Sequence, residues 1–126
     1  MVLEELAGWV TQIEGTPCRF TNHGGFEFPQ ELAIHLYRIA QEAVSYLLKT
    51  GKAQRISIQC AAIEGVSKLL ITGEGIDFGE ASSGGASVDL LHSRARMIGA
   101  VIHMSHSRPE ECVVTCSLTG TGALGT

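Results

Sequence analysis

Apolar positions in this chain fall into three helical stripes separated by short runs of alternation. Leu3, Leu6, Val10 and Ile13 recur at helical spacing and predict a helix over residues 3–14, stopped by Gly15. Pro17 cannot donate to a sheet ladder, so a short strand is predicted only after it, from Cys18 to Thr21. Asn22 to Phe28 contains Gly24 and Gly25 and reads as a loop. Leu32, Leu36, Ile39, Ala40, Ala43 and Leu47 then make one buried face of a long helix. Pro29 suits the first position of that helix and Gly51 its end. Alternation over Arg55 to Cys60 puts Ile56, Ile58 and Cys60 on one face, Glu64 and Gly65 mark a turn, and Lys68 to Thr72 is the partner strand.

The chain changes character at Gly73. GEGIDFGEASSGGAS, up to Ser87, is rich in Gly and Ser, lacks a period and predicts a mobile loop. Helical period returns over Val88 to Ile98, with Val88, Leu91, Ala95 and Ile98 inward, Ser87 as N-cap, Asp89 at the positive end of the dipole and Gly99 closing. Val101–Ser105 and Cys112–Leu118 read as strands, and the tail 119–126 as frayed. The order α-β-α-β-β-α-β-β predicts a two-layer α/β sandwich, one domain over 1–118, with helices on one face of a mixed sheet.

Composition narrows the function classes. A chain of 126 residues with 44% hydrophobic and 17% charged residues is a single globular domain with a real core. A net charge of −4 argues against nucleic acid, because phosphate neutralisation needs a basic face and the basic residues here are scattered. No basic leader or long apolar run predicts a signal peptide or membrane contact, so a cytoplasmic domain is expected. Cys18, Cys60, Cys112 and Cys116 have no framework or metal-site spacing; buried reduced thiols are the simplest reading, with no metal site. The five histidines read as surface or satisfied residues.

The candidate chemistry lies along the long helix. Arg38, Glu42, Ser45 and Lys49 form a polar stripe, and Tyr46 sits one turn after Glu42 and one before Lys49. Read alone, Glu42 pairs with Arg38, Tyr46 is a half-buried residue whose hydroxyl finds a partner, and Gly73 and Gly75 are a flexible strand end. RIAQEA at Arg38–Ala43, Lys49, and KA at Lys52–Ala53, followed by SRARMIGA at Ser93–Ala100, carry a family resemblance. The chain resembles, from about Leu3 to Leu118, the ATP-binding domain of two-component sensor histidine kinases of the nitrate-sensor and desaturase-sensor subgroup. The resemblance implies the Bergerat α/β sandwich shared with gyrase and the Hsp90 chaperone.

The resemblance also implies a nucleotide pocket, and each of its four motifs departs here from the family pattern. Glu42 and Lys49 are kept, but the family's magnesium-binding Asn is Tyr46, and a phenol is a poor ligand for an ion that wants hard oxygens in tight octahedral geometry. Alignment on Phe78 places Gly73 where the family's adenine-reading Asp stands, retains Gly75, and puts Asp77 where a second Gly stands. Glu74 is one position off, facing the other side of a strand. The phosphate-binding Gly-x-Gly reads Gly85, Ala86, Ser87. The last turn, Gly-x-Gly-Thr in the family, reads Glu110, Glu111, Cys112 with Thr115 further on, and its carboxylates would repel phosphate.

Three functions follow as alternatives. The first is a degenerate kinase-derived domain that docks or regulates within a two-component pathway, with no cofactor, through a histidine-kinase dimerisation domain, a response regulator or a second copy of itself. The second is a working catalytic domain, with ATP and magnesium as cofactors and Glu42 as the catalytic position, that phosphorylates a histidine on an upstream dimerisation domain. The third is a sensor that reuses the cleft for a non-nucleotide ligand through Tyr46 and Asp77. On sequence grounds the double change Tyr46→Asn and Gly73→Asp is expected to raise nucleotide affinity more than about tenfold.

Overall fold

The computed structural model describes residues 2–23, 28–79 and 85–118; the centre of the loop at Gly24 and Gly25, the middle of the Gly/Ser segment and the tail 119–126 lie outside the described residues. The elements are α1 (Val2–Trp9), β1 (Cys18–Asn22), α2 (Gln30–Lys49), β2 (Arg55–Ile63), β3 (Val66–Glu74), α3 (Ala86–Met97), β4 (Val101–Arg108) and β5 (Glu111–Leu118). They give the predicted order and the predicted two-layer α/β sandwich. The sheet runs β1-β2-β3-β5-β4, with β1 parallel to β2 and every other pair antiparallel.

Alternation decides which face of the sheet is buried. Ile56, Ile58 and Cys60 of β2, Leu69 and Ile71 of β3, and Cys112, Val114, Cys116 and Leu118 of β5 are buried under the helices. The α2 stripe Leu36, Ile39, Ala40, Ala43 and Leu47 is buried as its period requires, with Leu32 packed at the margin. Burial on this face also pushes the Cys60 and Cys112 thiols up to about 11 and that of Cys116 to about 12, from an ordinary value of 9.0. In the unfolded chain the same thiols ionise from about pH 9, so it binds fewer protons than the folded chain between pH 9 and 11. Stability is therefore expected to fall through that alkaline window, as denaturant melts at pH 8 and pH 10.5 would measure, and a thiol reagent at pH 8 should reach these three cysteines only on unfolding.

Four local readings change. Ile13 is 65% exposed although it continues the Leu3, Leu6, Val10 stripe, because Val10–Glu14 is a wider π-type turn and each residue there rotates less than in an α-helix. That turn is pinned by Thr11, whose hydroxyl accepts from the Cys18 amide at 3.0 Å. Pro29 stands outside α2, at its cap, one place earlier than predicted. Ser87 lies inside α3, whose N-cap is Gly85, held at φ 103 with no side-chain cap. No Arg38–Glu42 ion pair forms among the described residues.

At one end of the open face Arg55, Glu74, Glu111 and Arg108 stand opposite one another across four strands. Two facing carboxylates are unfavourable and the outer arginines offset them; Arg55 reaches Glu74 at 3.2 Å. Both partners are largely exposed, so Arg55→Ala should cost less than about 1 kcal/mol, an effect that added salt reduces in thermal melts. No helix among the described residues is long and apolar enough to cross a membrane.

Candidate functional site

The C-terminal end of α2 and the segment after β3 close on each other through the main chain. The Asp77 amide donates to the Gly51 carbonyl at 2.7 Å, the Ile76 amide to the Glu110 carbonyl at 2.9 Å, and the Gln54 amide to the Glu74 carbonyl at 2.8 Å. These bonds hold residues 75–79 against the helix end, so Ile76 and Phe78 turn inward. Gly51 permits the approach, since a Cβ there would lie 2.9 Å from the Leu47 carbonyl and 3.1 Å from Ile76 Cδ1.

Gly73 lies on the buried face of β3, between Ile56 of β2 and Cys112 of β5. The space a side chain would need is occupied: a Cβ would stand 2.9 Å from Ile76 Cδ1 and 3.2 Å from Leu47 Cδ2. Tyr46 is 1% exposed, and it is the largest fully buried side chain among the described residues. Its ring lies 5.6 Å from that of Phe78, tilted by 39°, and Phe78 in turn meets His106 of β4 edge-on at 5.8 Å. The aromatic column thus runs from the core to the surface.

The Tyr46 hydroxyl differs from the expectation of a satisfied, half-buried phenol. It is buried and has no hydrogen-bond partner among the described residues. Burial first, and then the neighbouring Cys112 thiol, raise its pKa above the ordinary value of 10.0. Among the described residues the centre of this site is apolar, with one orphaned hydroxyl, and the atoms nearest a Cβ at Gly73 are the Ile76 and Leu47 methyls.

The remaining sequence-derived positions are spread around this centre. Glu42 is half-buried on α2, one turn before Tyr46, whereas Lys49 is exposed and lines a cavity with Trp9 and Leu48 on the α1 side of the helix. Asp77 is exposed, and its Oδ1 accepts from the Gly79 amide at 2.8 Å, a local turn. Gly75 has φ 71, and a Cβ there would sit 2.9 Å from Gln54, so the backbone alone accounts for this glycine. Gly85 and Ser87 form the start of α3. Thr115 is on the opposite face of the sheet, paired with Leu70 and His103, and is not brought to Gly73 or Tyr46.

Sequence reasoning placed neither Ile76 nor His106 in this site, and read Leu47 only as core and Cys112 only as a buried thiol and a motif position. Ile76 and Phe78 were detectable in principle, as an apolar i, i+2 pair inside an otherwise Gly- and acid-rich segment. Cys112 needed the β3–β5 register.

No protein-family model and no curated protein matches this sequence. Solved structures do match. The histidine kinase domain of the Erythrobacter litoralis EL346 blue-light activated histidine kinase superposes with a TM-score of 0.71 at 15% identity, covering 97% of this chain and 66% of that one. The Acinetobacter baumannii histidine kinase AdeS gives 0.64 at 12%, covering 92% and 61%. A bacterial phosphotransferase gives 0.64 at 10%, covering 90% and 61%. The chain spans about two thirds or less of each of these proteins. At such identities the likeness is one of fold: this chain has the mixed-sheet α/β sandwich found in histidine kinase domains.

Proposed function

We propose that this chain is a histidine-kinase-type domain of two-component signal transduction whose nucleotide pocket is filled by its own side chains, and that it serves as a docking or regulatory module with weak or no ATP binding. One observation carries the reading. At the positions that the sequence resemblance assigns to adenine and magnesium, Tyr46 packs on Phe78, and Leu47 and Ile76 close over Gly73. An adenine amino group would find no carboxylate at Gly73, and a site lacking the polar partner it needs loses selectivity by orders of magnitude. A magnesium ion would find a buried phenol in place of a hard carbonyl oxygen. Glu42 is then a remnant without a metal-bound phosphate to act on. The partners this reading implies are a histidine-kinase dimerisation domain or a response regulator, in the cytoplasm.

Calorimetric titration with ATP and ADP, with and without magnesium, tests this. No saturable heat is expected at micromolar protein. Low-micromolar binding that depends on magnesium would overturn the reading in favour of a working catalytic domain.

A further inference from the structure

α1 and its π-type turn leave a trough against α2 whose lining is shared between Leu6, Trp9, Tyr37, Val44 and Leu48 and polar or charged side chains. Two cavities, of about 430 and 190 Å³, both lined by Leu6, Trp9 and Gln41, lie side by side along it. Its α2 wall is the stripe Tyr37, Gln41, Val44 and Leu48, which spans about 16 Å, three helical turns. Trp9, which lines both cavities, is 51% exposed; Ile13 on the π-type turn and Ile34 on α2, one turn before Tyr37, are 65% and 51% exposed. Large apolar side chains left half in water along a groove of helical length fit the recognition of an amphipathic helix.

The charge at this surface selects the occupant. Residues 2–14 contain Glu4, Glu5 and Glu14 and no lysine or arginine; Glu5 and Glu14 line the two cavities, and Lys49 of α2 is the one cation among the described residues that line them. A second copy meeting this face with the same α1 would set acid against acid, and an anionic lipid surface would be repelled as well. We propose that the α1–α2 trough is a docking site for a partner-protein helix about three turns long, apolar along one stripe and bearing lysine or arginine along its flank. This rests on, and deepens, the docking function: it places the contact on the side of α2 away from Phe78 and Gly73, so the filled pocket need not open for the partner to bind.

Trp9 is the one tryptophan of the chain, so its emission reports occupancy directly. The full chain is titrated with two designed three-turn helical peptides that share one leucine stripe, one flanked by lysine and one by glutamate. The lysine-flanked peptide is expected to shift Trp9 emission to the blue with saturation and to bind at least about tenfold more tightly than its counterpart. The double variant Glu5→Lys, Glu14→Lys should reverse that preference, and Trp9→Ala, followed by calorimetry, should weaken binding at least about tenfold. Equal affinity for both peptides, or none for either, overturns the proposal. So does a blue shift that follows protein concentration alone with a doubling of mass, which gives the trough to a second copy, or one produced by anionic vesicles and not by peptide. The peptide result is separate from the nucleotide result: magnesium-dependent ATP binding would remove the docking function while leaving the trough, and a failed peptide titration would remove the trough while leaving the filled pocket.

Discussion

Replacing Tyr46 by Phe should raise the stability of this domain by about 1 kcal/mol, and replacing it by Asn should lower stability by about 4 kcal/mol. The first effect follows from the hydroxyl, which is buried without a partner. Such a group carries a desolvation cost of about 1–3 kcal/mol that Phe does not, while the ring keeps its packing on Phe78. The second follows from the ring itself. Truncating a fully buried aromatic side chain costs about 3–5 kcal/mol in lost transfer and cavity, and a buried amide costs more unless it finds the hydrogen-bond partners that the Tyr46 hydroxyl lacks among the described residues. Against a total stability of about 5–15 kcal/mol, that leaves a marginal fold. Urea melts of the three proteins measure both signs; Tyr46→Asn as stable as the parent would mean that the ring is not the plug described.

Gly73→Asp should be destabilising by about 3 kcal/mol or more at neutral pH. Its Cβ alone meets Ile76 Cδ1 and the two Leu47 methyls, and the carboxylate would have to follow into the same apolar space. Gly73→Ala separates the two contributions, because its added methyl presses only on side-chain tips and should cost about 1 kcal/mol. The Asp penalty should shrink as pH falls toward about 4. A carboxyl buried here has its folded pKa raised, so the unfolded chain holds the charged form more comfortably at neutral pH and loses that advantage once it protonates. Denaturant melts of both variants at pH 4.5 and pH 7 read this out. The double change Tyr46→Asn, Gly73→Asp is accordingly expected to lose stability instead of gaining nucleotide affinity. The sequence-based expectation treated the motif as two missing ligands, whereas in the structure Leu47 and Ile76 occupy the space over Gly73.

How much of this was legible in the sequence depended on periodicity. The buried faces of α2, β2 and β5 could be read because Leu36 to Leu47 keeps a helical period and Ile56, Ile58, Cys60 and Cys112, Val114, Cys116 keep a strand period. The same alternation placed Thr115 on the other face from Cys112, a consequence that motif matching overlooked. Ile13 was misplaced because a π-type turn leaves no mark in a hydrophobic pattern. The residues that fill the site were hidden for a different reason. Ile76 and Phe78 lie in a non-periodic segment, and long-range main-chain bonds, from Asp77 to Gly51 and from Ile76 to Glu110, aim them at Leu47 and Tyr46. A long-range bond between two irregular segments has no local sequence signal.

Tyr46, Gly73 and the segment at 75–79 fit one another as a set. A phenol at 46 needs an apolar ceiling, which Phe78 supplies; Ile76 and Leu47 need a residue without a side chain beneath them, which Gly73 supplies. Restoring one position leaves the others in conflict with it.

The central claim is that the space over Gly73 is closed by Tyr46, Leu47, Ile76 and Phe78 and stays closed in the presence of nucleotide. Nuclear Overhauser contacts between the Tyr46 and Phe78 rings, and from the Leu47 and Ile76 methyls to the Gly73 Hα, test it most directly, recorded on the free protein and again with millimolar magnesium ATP. The account predicts that these contacts are present and unchanged by nucleotide. Their loss, with saturable shifts at Gly73 and Ile76 that require magnesium, would contradict it.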